Sequence, residues 1–379
     1  MAQGKRDPPS THACLSSADI DVRTHTRWLM EFLATLNKVS DPGPVLRVFR
    51  KYGRFNQRTQ YPFGNPVSIS RAHLDVLPRT QYWITDKADG VRVCLVLTRC
   101  PLSGLCASYL MDRRGHVYGL PVVCDASYFD DSMFDCELVA ALPGAAAQVL
   151  LLAFDVSVLC GDETVGEEPL SARLHELAQV FPAPGTGASP LQIGCSVPGV
   201  ALAPKPMVPL GGPAWGVHKS HPDAAAGSPP PPAPPAMPAL PPVPYSTDGY
   251  ILTPEAEGAP APGATTSILK VKTEHTLDLL WVGADLYLGP SAHHVSVTTI
   301  TDPDLPPVAF NPREFAGVPS GAIVEVRPAT AHGSLWLSLV RVRTDRTAPN
   351  HMKCVLATLR SALDVVTLED VLASVKVCP

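Results

Sequence analysis

The sequence has no stretch of 18 or more consecutive apolar residues, and its opening, MAQGKRDPPSTHACLSS, lacks the apolar core of a secretory signal. Both absences argue against membrane insertion and export, so an intracellular protein with no membrane association is expected. Paired cysteines are missing too: ten are scattered from Cys14 to Cys378 without a CxxC pair or a repeated spacing. This excludes an obvious zinc cage or disulfide framework and leaves reduced thiols as the simplest reading. Nor is there an excess of positive charge, since 30 Lys plus Arg face 35 Asp plus Glu, a formal net charge of −5. A broad basic surface for gripping duplex backbone is not expected, and any nucleic-acid contact should be local.

Proline is what the sequence has in excess, with 42 of 379 residues, about twice the usual share. Eleven lie between Pro222 and Pro244, including the run Pro229 to Pro232. Such a segment cannot pack as helix or sheet, so it reads as a polyproline-like or disordered insertion. The rest, with 45% apolar and 17% charged residues, is globular in composition and long enough for two ordinary domains.

Apolar periodicity divides the chain further. Residues 1–20 read as a flexible N-terminus, and TRWLMEFLATLN, Thr26 to Asn37, repeats apolar residues at helical spacing. From Tyr82 the pattern changes to short β-rich runs, YWIT, VRVCLVLT, CASYLM and HVYGL, broken by DG and DRRG turns. FDCELVAAL and VLLLAFDVSVL add two strands, and EPLSARLHELAQVF adds a helix. Beyond the proline-rich stretch come GYILTP, SILKVK, LDLLWVGADLYLG, GAIVEVRP and SLWLSLVRVRT, which suggest a small barrel. The tail is helical, with a second helix start in a capping arrangement at Thr367. The class is α+β, built on antiparallel sheet.

One hexamer stands out, Lys87-Ala-Asp-Gly-Val-Arg92, between two of these strands. Alone it reads as a hairpin turn with a solvated lysine and arginine. Further segments follow in order: Tyr109 to Tyr118 with Asp112-Arg113, Phe134-Asp-Cys-Glu-Leu-Val139, Leu152-Ala-Phe-Asp-Val156, Tyr245 to Pro254 with Asp248-Gly249, Ile268-Leu-Lys-Val-Lys272 with Thr276 and Asp278, and Arg341-Val-Arg-Thr-Asp-Arg346 before Ala348-Pro-Asn350. Together they resemble the covalent nucleotidyltransferase superfamily, the mRNA capping guanylyltransferases and the ATP-dependent polynucleotide ligases. The last segment is more typical of the capping enzymes. Four departures stand against the family pattern: Cys136 for glycine, Val271 for tryptophan, Arg346 for lysine, and the proline-rich insertion.

The resemblance implies a nucleotidyltransferase domain of ligase-like (ATP-grasp) type over residues 21–270, interrupted by the insertion at 222–244, and an OB-fold domain with C-terminal helices over 271–379. It implies Lys87 as the nucleophile. A lysine titrates near 10.4 when unperturbed, so Lys87 must be depressed, and Lys270 and Lys272, on one face of a strand, are the cations that would do this and neutralise phosphate. Glu137 and Asp248 would hold Mg2+ or Mn2+, hard ions suited to two carboxylates and phosphate oxygens. Asp89, Gly90, Arg92, Arg113, Phe154 and Lys205 would contact GTP, with Arg92 on the ribose, Phe154 stacked on the base and Lys205 reading a guanine carbonyl. Arg341, Arg343, Asp345 and Arg346 would grip the leaving pyrophosphate as the barrel closes.

The expected function is that of an mRNA guanylyltransferase, which carries GMP on a lysine and transfers it to the 5′-diphosphate end of nascent RNA. An RNA triphosphatase, a cap methyltransferase or an RNA polymerase would be partners, in the nucleus, the cytoplasm or a viral replication compartment. Two alternatives remain at this point: an ATP-dependent polynucleotide ligase, and a catalytically inactive capping-like binding subunit.

Overall fold

The computed structural model describes residues 22–55, 57, 61–100, 103–145, 147–181, 192–210, 241–272, 274–289, 294–344, 346 and 348–376. The N-terminus 1–20, Asp345 and most of the proline-rich stretch lie outside these.

Mixed sheets with few helices make up the fold. The largest sheet has seven strands in the order Asn37–Val39, Val117–Gly119, Cys106–Asp112, Val91–Arg99, Ser132–Ala140, Val149–Val158, Val200–Pro204. Only its last pair is parallel. Val91–Arg99 is buried without interruption from Val93 to Thr98, as a strand covered on both faces must be. The helices Val22–Thr35 and Leu170–Val180 cover one face, placing Leu29, Leu33, Leu177 and Val180 against Val93, Leu95, Phe134 and Leu151. On the other face, Val45, Val48 and Phe49 of the helix Gly43–Lys51 pack with Tyr61 and Phe63 against Cys94, Val96 and Met111. Each such side chain contributes about 1.5–3 kcal/mol of burial.

A second, five-stranded sheet runs Val208–Leu210, Tyr82–Ala88, Thr247–Pro254, Gly263–Lys272, Gly64–Ser68. The alternation of side chains divides its two faces. Ile84, Leu252, Leu269 and Val271 point into an apolar layer, while Thr85, Lys87, Ile251, Thr253, Lys270 and Lys272 line the cleft on the opposite side. A smaller contact of Ala88, Val139, Leu152, Ala203 and Tyr245 joins this sheet to the seven-stranded one.

The third sheet, six strands, runs Val295–Ser296, Asp285–Leu288, Leu277–Val282, Ile323–Ala331, Ser334–Val342, Val308–Phe310. It curls around its own core, in which Trp281 stacks on Phe315 at 4.7 Å and the helix Met352–Leu363 inserts Val355 and Leu359. The last helix, Leu368–Lys376, leaves this sheet. Its Val371, with Val366 just before it, packs on the five-stranded sheet beside Ile69 and Leu77, and Arg71 pairs with Asp364 at 3.1 Å. The capping expected at Thr367 is present: its backbone N–H donates to Asp370 Oδ2 at 2.9 Å, and the Asp370 N–H donates to Thr367 Oγ1 at 3.2 Å.

Candidate functional site

The two large sheets face each other across a cleft of about 1260 Å³, and the chain after Val342 reaches its rim. Lys87 enters from the strand Tyr82–Ala88. Its Nζ donates to Asp248 Oδ1 at 2.5 Å, with the carboxylate about two-fifths exposed. Asp248 sits in a β-bulge, where the register against Tyr82–Ala88 shifts between Thr247 and Tyr250. The bulge needs glycine next: Gly249 has φ +139°, and a Cβ there would lie 2.1 Å from the carbonyl oxygen of Val271. Gly90 is fixed by the same kind of crowding, since its Cβ would lie 2.4 Å from the carbonyl oxygen of Leu138. Both Asp-Gly pairs, one in a turn and one in a bulge, thus let strands approach closely around the lysine.

Lys270 and Lys272 line the same cleft. Burial, then the charges of Lys272 and Lys87, hold the Lys270 ammonium below its ordinary range, so like-charge crowding among the three lysines is visible at Lys270. Exposed Arg113, in the turn closed by the bond from the Gly115 N–H to the carbonyl of Asp112 at 3.0 Å, adds to that crowding.

The floor of the cleft comes from the seven-stranded sheet. Arg92 donates from Nε to Asp135 Oδ1 at 2.9 Å, makes a second ion-paired contact with Asp135 Oδ2, and reaches the carbonyl of Gly64 at 2.9 Å. Its guanidinium lies over the rings of Tyr61 and Phe154, at 5.3 and 5.5 Å. Phe154 is also 5.7 Å from the ammonium of Lys205. Lys205 is drawn in by the bond from its backbone N–H to the carbonyl of Ala153 at 2.7 Å, which extends the parallel strand pair. Burial pushes the Glu137 carboxyl up to about 7, against the pull of Lys205, Arg92 and Lys87.

Of the residues singled out from the sequence, the cleft is lined by Lys87, Asp89, Gly90, Arg92, Arg113, Glu137, Phe154, Lys205, Lys270, Lys272, Arg343 and Arg346. Asp248 stands behind Lys87. Arg341 lies outside the lining and is ion-paired to Glu325. Arg343 donates to Asp278 Oδ1 at 2.9 Å, and Arg346 is 3.4 Å from Asp278 Oδ2. Asp345 falls outside the described residues.

Two departures from the family pattern are absorbed away from the cleft. Cys136 alternates with Glu137 and is fully buried in the core of the seven-stranded sheet. Val271 alternates with Lys270 and Lys272 and faces Val366 and Val371. Sequence reasoning missed Asp135, Tyr61, Asn65, Asp86 and Tyr245. Asp135 was within reach, one strand away from Arg92 and two residues before Glu137. Tyr61, whose hydroxyl donates to Asp135 at 3.0 Å, comes from a stretch without periodicity and left no signal.

Residues 23–189 match the family model described as mRNA capping enzyme, catalytic domain. That segment carries the capping-enzyme pattern. The resemblance read from the motifs is thereby borne out for the part of the chain that supplies Lys87, Arg92, Arg113, Glu137 and Phe154. The mRNA-capping enzyme subunit alpha of Schizosaccharomyces pombe is 35% identical over 105 residues, 25% of this chain and 26% of that protein. Its counterpart in Neurospora crassa is 32% identical over 125 residues, 30% and 31% of the two chains. The chain thus aligns with between a quarter and a third of the length of these capping-enzyme relatives. Among solved structures, mycobacterial DNA ligase D, complexed with ATP and MES, covers 75% of this chain with 94% of its own at 16% identity and a TM-score of 0.37. The ATP-dependent DNA ligase of bacteriophage T7 covers 74% with 98% of its own at 12% identity and a TM-score of 0.32.

Proposed function

We propose that this chain is an mRNA guanylyltransferase. The observation that carries the reading is the convergence of Lys87, paired to Asp248, with the cations Lys270 and Lys272, Arg92 and Phe154 in one cleft, inside a chain whose segment 23–189 matches the capping-enzyme catalytic domain.

In the first half-reaction Lys87 gives its proton to Asp248 and its Nζ attacks the α-phosphorus of GTP. The N–P bond forms as the bond from α-phosphorus to the bridging oxygen breaks, and the electron pair leaves with pyrophosphate. In the second, an oxygen of the RNA 5′-diphosphate attacks the same phosphorus, the N–P bond breaks, and Lys87 recovers its proton. Lys270 and Lys272 stabilise negative charge on the phosphate oxygens. Arg92, held by Asp135, presents donors to the sugar, and Phe154 covers the base. Arg343 and Arg346, from the segment that follows the strand Ser334–Val342 of the six-stranded sheet, face the leaving group. That sheet is read as the OB-fold domain of 271–379, joined to a nucleotidyltransferase domain of 21–270, and its last helix docks back on that domain.

Glu137 suits a hard divalent cation, because a partly buried carboxyl pushed up to about 7 gains most from a positive charge beside it. With substrate phosphates it would hold Mg2+ or Mn2+, whose chemistry here would be charge neutralisation, while Asp248, expected from the sequence as a second ligand, is committed to the Lys87 proton. A partner would supply RNA with a 5′-diphosphate end, which is triphosphatase chemistry, and the relatives' designation as a subunit alpha agrees with a multi-subunit setting.

The test is incubation with α-labelled GTP or ATP plus Mg2+ or Mn2+, followed by a denaturing gel. Label from GTP alone, absent in Lys87→Ala, is expected; label from ATP alone points to a ligase, and none from either to a binding subunit.

A further inference from the structure

Behind the purine-facing end of the cleft lies a carboxylate that the scheme above leaves unused. Asp86 is 5% exposed, on the strand that carries Lys87. Its Oδ1 accepts from the Tyr245 hydroxyl at 3.2 Å and from Thr85 Oγ1 at 3.4 Å. Its Oδ2 is buried and has no hydrogen-bond partner among the described residues. The nearest cation is the ammonium of Lys205, 4.0 Å away and 7% exposed.

A buried carboxylate oxygen without a donor costs roughly 1–3 kcal/mol or more, so its retention calls for a reason. A buried lysine is costly as well unless an anion compensates it. At 4.0 Å the pair is coulombic and too long for a hydrogen bond, so the three N–H groups of Lys205 are not consumed by Asp86. The single Thr85 hydroxyl proton has a nearer acceptor in the carbonyl of Pro206, at 2.7 Å against 3.4 Å to Asp86, and so ties the Lys205 segment to the Asp86 strand. The other charges around Lys205 are Glu137, Lys87 and Arg92. Glu137 is the group assigned above to the divalent cation, and the remaining two are positive. Asp86 is therefore the anion left to Lys205 when the site is loaded.

Resting on the guanylyltransferase reading, we propose that Asp86 is a positioning residue for base choice, a fixed counter-charge behind Lys205 that keeps its N–H groups aimed over Phe154 at a carbonyl on the six-membered ring of a purine. A guanine offers that acceptor at its 6-oxygen. Asp86 acts through Lys205 and does not touch the nucleotide.

The experiment compares covalent labelling from GTP and from 2-aminopurine riboside 5′-triphosphate, which keeps the 2-amino group and lacks the 6-carbonyl. Wild type should favour GTP through KM. In Asp86→Asn that preference should shrink about tenfold, the scale of one hydrogen bond to a charged group, with labelling from the 2-aminopurine nucleotide reporting that the variant is folded. Lys205→Met should erase the preference, and Asp86→Asn should add nothing on that background. Tyr245→Phe, which removes one tether of Asp86, should give a smaller change of the same sign. An unchanged ratio in Asp86→Asn, with Lys205→Met losing it, overturns the proposal alone. Equal use of the two nucleotides by wild type overturns the guanine reading itself.

Discussion

The strand lysines of the cleft and the arginines on and after Ser334–Val342 are held in different ways. Lys87, Lys270 and Lys272 project from strands whose alternate residues, among them Leu269 and Val271, are locked in an apolar layer. Arg341, Arg343 and Arg346 lie on and after the strand Ser334–Val342, where ion pairs with Glu325 and Asp278 hold them. Packing fixes an atom to within a rotamer, as a nucleophile and its neighbouring cations require. Of these arginines, Arg346, about half exposed, can exchange its ion pair at low cost. A group that must grip a leaving anion and then release it suits that second mode.

The largest effect that could break this contrast concerns chemistry against stability. Lys270→Met should slow formation of the covalent nucleotide by on the order of 10²–10³-fold, the usual loss for one preorganised charge, with little change in unfolding. Arg341→Met should do the reverse, costing about 1–2 kcal/mol as the Glu325 carboxylate loses its nearest cation and keeps Arg343 at 3.7 Å, with labelling per folded molecule nearly intact. Arg343→Met, which lines the cleft and also pairs with Asp278, should fall between them. Single-turnover labelling and urea midpoints on the same preparations decide it, and equal kinetic losses for Lys270→Met and Arg341→Met would remove the distinction.

A smaller effect separates the two regions by the sign of their response to pH. Glu137, raised to about 7, binds a proton in the folded state at pH values where the unfolded chain has lost it. Its contribution to stability is therefore fully present below about 4.3 and lost as pH rises through 7, a change on the order of 3 kcal/mol. Burial pushes Glu325 upward too, but Thr276, Arg341 and Arg343 outweigh it and hold Glu325 below its ordinary value. Its contribution is present above the unfolded value and lost as pH falls through the folded one. Without divalent cation, Glu137→Gln should gain stability relative to wild type between pH 5 and pH 8. Glu325→Gln should show its deficit at pH 8 and narrow it toward pH 3. Parallel pH profiles for wild type and Glu137→Gln would show that Glu137 is not desolvated as described.

How much of this the sequence disclosed follows the same division. Strand alternation announced that Lys270 and Lys272 share a face, because a lysine between apolar neighbours has one way to face, whereas Lys87 was read from the resemblance of its hexamer to the family's motif. Gly90 was readable as a turn residue and Gly249 as part of a family motif, but the close approaches to Leu138 and Val271 that require them are set by long-range pairing. Asp86 gave no sign of its role, since it matters through Lys205 and Tyr245, which are distant in the chain, and Asp135 was marked only by its place two residues before Glu137, its partners Arg92 and Tyr61 being distant too. The helix Leu368–Lys376 was visible from its capping signal, whereas its return to the five-stranded sheet depends on which apolar surface was still uncovered.

The smallest effects concern the positions where the chain departs from the capping-enzyme pattern, and they ask whether the core face is as separate from the cleft face as the alternation implies. Val271→Trp places extra volume against Val366 and Val371 and should cost about 1–3 kcal/mol by overpacking. Cys136→Gly removes a fully buried thiol and loosens a central strand, a loss of about 1–2 kcal/mol. In both variants KM for GTP should stay at the wild-type value once the folded fraction is accounted for. The reason is geometric: a side chain on one face of a strand moves the opposite face only by shifting the backbone, and Ser132–Ala140 is pinned on both sides by Val91–Arg99 and Val149–Val158. A KM that rises in Cys136→Gly would mean that backbone at Glu137 follows its neighbour, and the separation of packing from chemistry would fail at the strand where it should be strongest.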